Sequence, residues 1–223
     1  MPKHIYFDLD GTLTDPYEGI SRCIVYAVEK LGFPVPSDDY LHSCIGPPLY
    51  ETFPQLVGEE LTLRAVDLYR ERFDEIGWLE NKPYDGIHDA LARVAASGCT
   101  MYVATSKPRI AAARIIEHFD FGQYFERVFG CELDGTRANK TDLLAFAIEE
   151  NPAATSRTMI GDRKHDLIGA IANDIEPVGV AYGYGTTDEL TAAGAVSIAE
   201  APADIPQLLL HLSDPDQRER SQQ

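Results

Sequence analysis

Basic residues are scarce in this chain. Against 36 Asp and Glu stand 19 Lys and Arg, for a net charge of −17 over 223 residues. That balance argues against a nucleic-acid polymer as partner, because a phosphate backbone requires a basic surface. It also means that no global field draws in an anionic substrate, so a phosphate site has to be built locally, from a metal ion, a lysine and backbone N–H groups. Long apolar runs are missing too. None approaches the roughly 20 residues that cross a bilayer, and the first residues lead straight into a strand without a secretory-leader pattern. A cytoplasmic location away from the membrane is therefore expected. Cysteine is sparse and scattered, at Cys23, Cys44, Cys99 and Cys131. No pair has C-x-x-C spacing and none stands near a histidine in a zinc pattern. They read as free thiols in a reducing compartment, and no other motif supports a catalytic cysteine. Internal repeats and low-complexity stretches are absent.

What is present is a globular composition, 44% apolar, at a length that suits one large domain or a domain with a small insert. Residues 17–31 place Ile20, Ile24, Ala27, Val28 and Leu31 at helical spacing. Ser37 is an N-cap for a short helix, Gly46-Pro47-Pro48 reads as a rigid loop, and a further helix is expected over about 59–77. No strand pattern occurs between 16 and 83, which reads as an all-helical insert. From Tyr84 onward helix and strand alternate. Strands are expected at about 99–104, 126–129, 157–160, 177–182 and 196–199. Helices are expected at about 87–97, 109–119, 141–151, 165–173, 187–193 and 204–212. This alternation predicts an α/β fold with a doubly wound parallel sheet built from 1–15 and 84–213, interrupted by the helical insert 16–83. The polar tail 214–223 reads as disordered.

Right-handed crossovers put every strand's carboxyl end on one rim, where open α/β sheets hold ligands. The first strand ends in Asp8-Leu9-Asp10-Gly11-Thr12. Two carboxylates this close repel unless a proton or cation relieves them, and Mg²⁺ is the natural neutraliser because it takes carboxylate, phosphate and water oxygens. A plain Asp-Gly turn is the bland alternative. Thr105 ends a later strand beside a helix start, where a hydroxyl suits a phosphate oxygen or simply caps the helix. Lys140 lies just before a helix and is readable as a solvated lysine; Lys107 is its rival for any role at the rim. Asp162 ends another strand, and Asp166 one helical turn later faces the same point, either holding a metal water or a lysine or offsetting the helix dipole.

These strings, DLDGT, VATSKP, Lys140 and GDRKHD, resemble in order the four motifs of the haloacid dehalogenase-like hydrolases, and the resemblance covers the whole chain except the tail. It implies a core with a mobile helical cap. It implies Asp8 as nucleophile, Asp10 as general acid/base, and Mg²⁺ held by Asp8, the Asp10 main-chain carbonyl and Asp162. Thr105, Lys140 and backbone N–H groups near Leu9 and Ser106 would bind the phosphoryl oxygens, with Thr12 orienting Asp10 and Asp166 acting from behind. The second Asp argues against carbon–halogen cleavage, and neither Lys30 nor Lys82 suits the Schiff-base lysine of phosphonate-cleaving members. Further strings (IGPPL, YRERF, LDGTR, GVAYGYGT) resemble a 5′-nucleotidase subgroup, and phosphoglycolate phosphatases share several of them. A small phosphorylated metabolite is thus the expected partner. Arg22, Arg70 and Arg72 are candidate substrate contacts, each also readable as a salt-bridged helix charge. Tyr182-Gly183-Tyr184-Gly185 lines the cleft or forms a plain turn. Three alternatives stay open: a hexose-phosphate mutase, a receiver-type signalling module, and a silent member that only binds its metabolite.

Overall fold

A computed structural model describes residues 3–212; the disordered tail expected over 214–223 lies outside the described residues. The chain opens with β1 (Lys3–Phe7) and the two-residue β2 (Thr14–Asp15). Four helices follow: α1 (Tyr17–Lys30), α2 (Asp38–Ser43), α3 (Leu49–Val57) and α4 (Thr62–Arg72). The chain then returns through β3 (Lys82–Pro83), which pairs antiparallel with β2. Alternation begins there, with α5 (Ile87–Ala96), β4 (Thr100–Pro108), α6 (Arg109–His118), β5 (Arg127–Cys131) and α7 (Lys140–Glu150). It continues through β6 (Ser156–Gly161), α8 (Lys164–Ile171), β7 (Glu176–Val180), α9 (Thr187–Ala192), β8 (Ser197–Ala199) and α10 (Ile205–Leu212).

Six strands form one sheet in the order β5-β4-β1-β6-β7-β8, and every pairing is parallel. Successive side chains of a strand point to opposite faces, and β1 shows the consequence. Ile5 and Phe7 enter one apolar layer with Leu91 and Ile115, whereas Tyr6 enters the other with Phe129, Leu143 and Met159. Burial on both faces explains why β1 reads as a continuous apolar run rather than an alternating one. The chain leaves β1 toward β4 on one side and reaches β6 on the other, so β1 stands at a switch point with its carboxyl end facing an open crevice.

Three parts of the segment 16–83 differ from expectation, the first being that it is not all-helical, because its last two residues are β3, held in a strand by pairing with β2. Residues 49–57, which fall in the expected all-helical segment but have no expected helix of their own, are α3, which carries Pro54 in its interior. Phe53 and Val57 are buried, and their packing offsets the ladder bond that proline removes. The helix expected over 59–77 is three pieces: a 3-10 turn Glu59–Leu61, then α4, then a π-helical turn Phe73–Gly77. Such π turns interrupt α-helices where a side chain must be re-aimed, and here Phe73 lines the crevice. No described helix is long and apolar enough to cross a membrane.

Candidate active site

Beyond β1 the backbone turns sharply. The Leu9 carbonyl accepts N–H bonds from Thr12, Leu13 and Thr14 at 3.3, 2.9 and 3.1 Å. Gly11 takes φ +85°, and a Cβ there would lie 2.1 Å from Asp162 Oδ2. Gly183 closes on the same carboxylate from the other side, its absent Cβ 2.4 Å from Asp162 Cβ. Glycine is required at both positions because the backbone must reach Asp162. Asp162 is fully buried. Its Oδ2 accepts the Tyr184 N–H at 2.9 Å, and its Oδ1 has no partner.

Three carboxylates converge here. Ligand oxygens of Asp8, Asp162 and Asp166 lie within 4.8 Å of one another. Lys140, only 4% exposed at the start of α7, reaches Asp8 Oδ1 at 2.9 Å, Asp166 Oδ1 at 2.7 Å and the Ala104 carbonyl at 2.8 Å. Burial lowers a lysine's pKa, yet the carboxylates of Asp166 and Asp8 outweigh it and hold the ammonium above its ordinary range. One positive charge among three negative ones leaves an excess of about two negative charges. Burial, then Asp166 and Asp8, pushes the Asp162 carboxyl well up. Burial, opposed by Lys140, pushes Asp166 up to about 6. A hard divalent cation with oxygen ligands fits both that charge deficit and the orphaned Asp162 Oδ1.

Asp10 does not face this cluster with its side chain. Its Oδ2 is paired with Lys107 Nζ at 2.5 Å, while Oδ1 is buried without a partner. Burial raises its carboxyl above the usual range, Lys107 opposing. Both candidate lysines thus reach the site, Lys140 to Asp8 and Lys107 to Asp10. The expected Thr12–Asp10 hydrogen bond is not formed. The tight turn at Leu9 leaves the buried Thr12 hydroxyl without a partner and presents its carbonyl to Tyr182 Oη at 2.9 Å. Thr105 is buried at the rim, its hydroxyl accepting the Lys107 N–H at 3.2 Å. With Ser106 it lines a cavity of about 180 Å³ that also borders Asp8, Asp10, Lys140 and Asp166. Leu9 is fully buried in the turn between the two acids.

The profile of the haloacid dehalogenase-like hydrolases matches residues 5–180. This chain belongs to that family. Within the haloacid dehalogenase-like hydrolases it is a phosphatase. A 5′-nucleotidase of Pseudomonas aeruginosa is 47% identical over 192 residues, covering 85% of this chain and 87% of the relative. The tyrosine-protein kinase PtkA of Mycobacterium tuberculosis is 38% identical over 90% of this chain and 69% of its own. The crystal structure of a predicted phosphatase from Clostridium acetobutylicum superposes with a TM-score of 0.87 at 37% identity, covering 94% of this chain and 99% of that one.

The arginines of this haloacid dehalogenase-like hydrolase sort by geometry. Arg22 and Arg72, candidate substrate contacts also readable as salt-bridged helix charges, do not line the cavity, and the salt-bridge reading is the one the structure shows. Glu80 takes both, Arg22 at 2.6 Å and Arg72 through two bonds of 2.7 and 3.0 Å. The reason is a contact distant in sequence, since the π turn delivers Glu80 beside α1. Arg70 does line the cavity, with Nη2 on the Leu133 carbonyl at 2.7 Å and a buried Nε without a partner. Sequence reasoning missed Arg163. Its Nε meets Glu189 at 3.0 Å and its Nη1 donates to the Ile45 carbonyl of the helical segment, over the face of Gly46. His165 also lines the cavity unforeseen. Both stand inside GDRKHD, but nothing in that string says which way a side chain turns.

Proposed function

We propose that this phosphatase hydrolyses nucleoside 5′-monophosphates through an aspartyl-phosphate on Asp8, with Mg²⁺ held by Asp8, Asp162 and the Asp10 main-chain carbonyl. The observation that carries the chemistry is the buried set Asp8, Asp162 and Asp166 around Lys140, with Asp10 beside it. The nucleotide is supported by the 47% identical 5′-nucleotidase. Asp8 attacks phosphorus, dividing one difficult displacement into two easier ones. Lys140, Thr105 and the N–H groups of Leu9 and Ser106 hold the phosphoryl oxygens. Asp10 carries the proton for the leaving oxygen on Oδ1 and then takes one from the attacking water; its raised pKa suits the first role. Bound at this cluster, Mg²⁺ supplies charge relief between an anionic nucleophile and an anionic phosphate. The helical segment 16–83 acts as a cap that swings on the β2–β3 pair and excludes bulk water when closed. The four cysteines form no disulfide, in keeping with a cytoplasmic enzyme.

A carboxylate-bearing substrate such as 2-phosphoglycolate is the second reading. The free Nε of Arg70 favours it, because a guanidinium edge matches a carboxylate. Phosphate release with Mg²⁺ from nucleoside monophosphates, 2-phosphoglycolate and hexose phosphates, with Asp8→Asn as blank, tests both. Release from nucleotides, abolished in the blank, is expected. Preference for 2-phosphoglycolate transfers the conclusion to the second reading, and no Mg²⁺-dependent release from any of them refutes both.

A further inference from the structure

The phosphate cavity is small. Its volume of about 180 Å³ falls below the roughly 300–1,000 Å³ of pockets that enclose a whole small-molecule ligand. Its inner end is taken by groups that face a phosphate. A second groove, of about 610 Å³, lies between β2, α2 and the loop after β7. Arg163 borders both spaces and bonds the Ile45 carbonyl. That bond joins the core to the helical segment, so it breaks when the segment swings.

The chemistry of the second groove is specific. The rings of Tyr17 and His42 stack at 4.0 Å with 28° between their planes, and Tyr184 stands 6.2 Å from His42. Tyr17 and Tyr184 are half-buried, and His42 is exposed. Asp15, Asp39 and Glu189 border the same space. The one arginine there is already engaged by Glu189 and by Ile45. The groove therefore offers flat π surface and hydrogen-bond acceptors and disfavours a second phosphate. Asp15 is engaged at both oxygens, by the Tyr17 N–H, the Tyr184 hydroxyl and Lys82, so the acceptor capacity lies on Asp39 and on Glu189, of which one oxygen is bonded. The ligand this suits is a planar heteroaromatic ring that carries N–H donors.

We propose that this groove receives the base of the nucleotide substrate, that the ribose takes the place of the Arg163–Ile45 contact when the helical segment closes over the nucleotide, and that bases with exocyclic amino groups (adenine, guanine, cytosine) are preferred over uracil. The inference rests on the nucleotide reading above. Ribose 5-phosphate presents the same leaving group without the base, so the readout is kcat/KM for AMP relative to ribose 5-phosphate. Loss of a stacking ring costs roughly five- to 150-fold in nucleic-acid binders. The His42→Ala protein is expected to lose at least about fivefold in that ratio. Asp39→Asn, at an exposed position, is expected to narrow the preference for AMP over UMP. If AMP is hydrolysed and both quantities stay at their wild-type values, the base lies elsewhere; the inference fails and the nucleotide reading stands. A Leu49→Ala protein that lowers the ratio while His42→Ala does not would place the base in the apolar end of the phosphate cavity. If the wild-type enzyme shows no preference for AMP over ribose 5-phosphate, the nucleotide reading fails and the inference with it.

Discussion

Replacing Lys140 by methionine tests the charge arrangement most directly. The ammonium is buried, contacts Asp8 and Asp166, and bonds the Ala104 carbonyl. Methionine keeps much of the volume and removes the charge, leaving three neighbouring carboxylates with Asp162 fully buried. Breaking a buried ion pair by deleting one partner costs about 3–5 kcal/mol. In a chain of this size each kcal/mol moves the melting temperature by about 2–4 °C, so a fall of about 10 °C is expected in chelator. Excess Mg²⁺ is expected to recover part of it, because a ligand that binds only the folded state stabilises it. Thermal unfolding followed by circular dichroism, with chelator and with Mg²⁺, measures the fall and its recovery, and urea unfolding under the same two conditions gives the free-energy loss. Phosphate release should fall about 10²–10³-fold, as when one donor to a developing oxyanion is removed. A stability loss within the about 0.5 kcal/mol of an ordinary surface substitution, in chelator, would refute the charge argument.

The same cluster fixes a pH dependence. Without metal, the Asp162 and Asp166 carboxyls lie above their unfolded values, Asp166 at about 6. The folded state therefore binds protons more tightly than the unfolded one, and stability declines as pH rises from about 4 through 6. A shift of about two units corresponds to about 3 kcal/mol from Asp166 alone. Melting curves between about pH 4 and 7 should show a Mg²⁺ gain that grows with pH, and a gain that shrinks would contradict the assignment. Gly11→Ala places a methyl group against Asp162 Oδ2 at φ +85°. Conformational strain alone costs about 1–2 kcal/mol, and displacement of Asp162 should weaken Mg²⁺ binding; titration calorimetry that returns wild-type affinity would show that Asp162 is not a ligand.

How much of this was legible depended on the range of the interaction. β1 and the acids at its end could be read directly, because a strand buried on both faces needs an unbroken apolar run and its exit needs a glycine. The alternation after Tyr84 gave the parallel sheet for the same local reason. α3 has no boundaries expected from the sequence; it holds Pro54, a strong local breaker, which the tertiary packing of Phe53 and Val57 overrides. The breaks around α4 have no signature that short-range periodicity detects. For Arg22 and Arg72 the sequence leaves a substrate contact and a salt-bridged helix charge both open, and the packing of α1 on the π turn, which brings Glu80 to both, decides for the salt bridge. Thr12 shows the limit at short range: two residues from Asp10 in sequence, it is turned away by a backbone whose amides converge on one carbonyl. Arg163 shows it at long range, since its partner Ile45 is more than a hundred positions away.

The β2–β3 pair has a meaning beyond motion. Neighbouring strands lie about 5 Å apart, so the helical segment leaves and rejoins the sheet domain through two adjacent points. To the sheet, residues 16–81 are topologically a hairpin loop that has acquired a fold. Lengthening a loop from about four to about 66 residues is four doublings, each costing about 0.6 kcal/mol, and the packing of α1 and α3 on α4 offsets so small a penalty. A segment attached in this way can be exchanged for another of different length and shape without disturbing the register of a single strand. The parallel sheet and the acids at its rim are thereby independent, in register and in chain path, of whatever the segment contains.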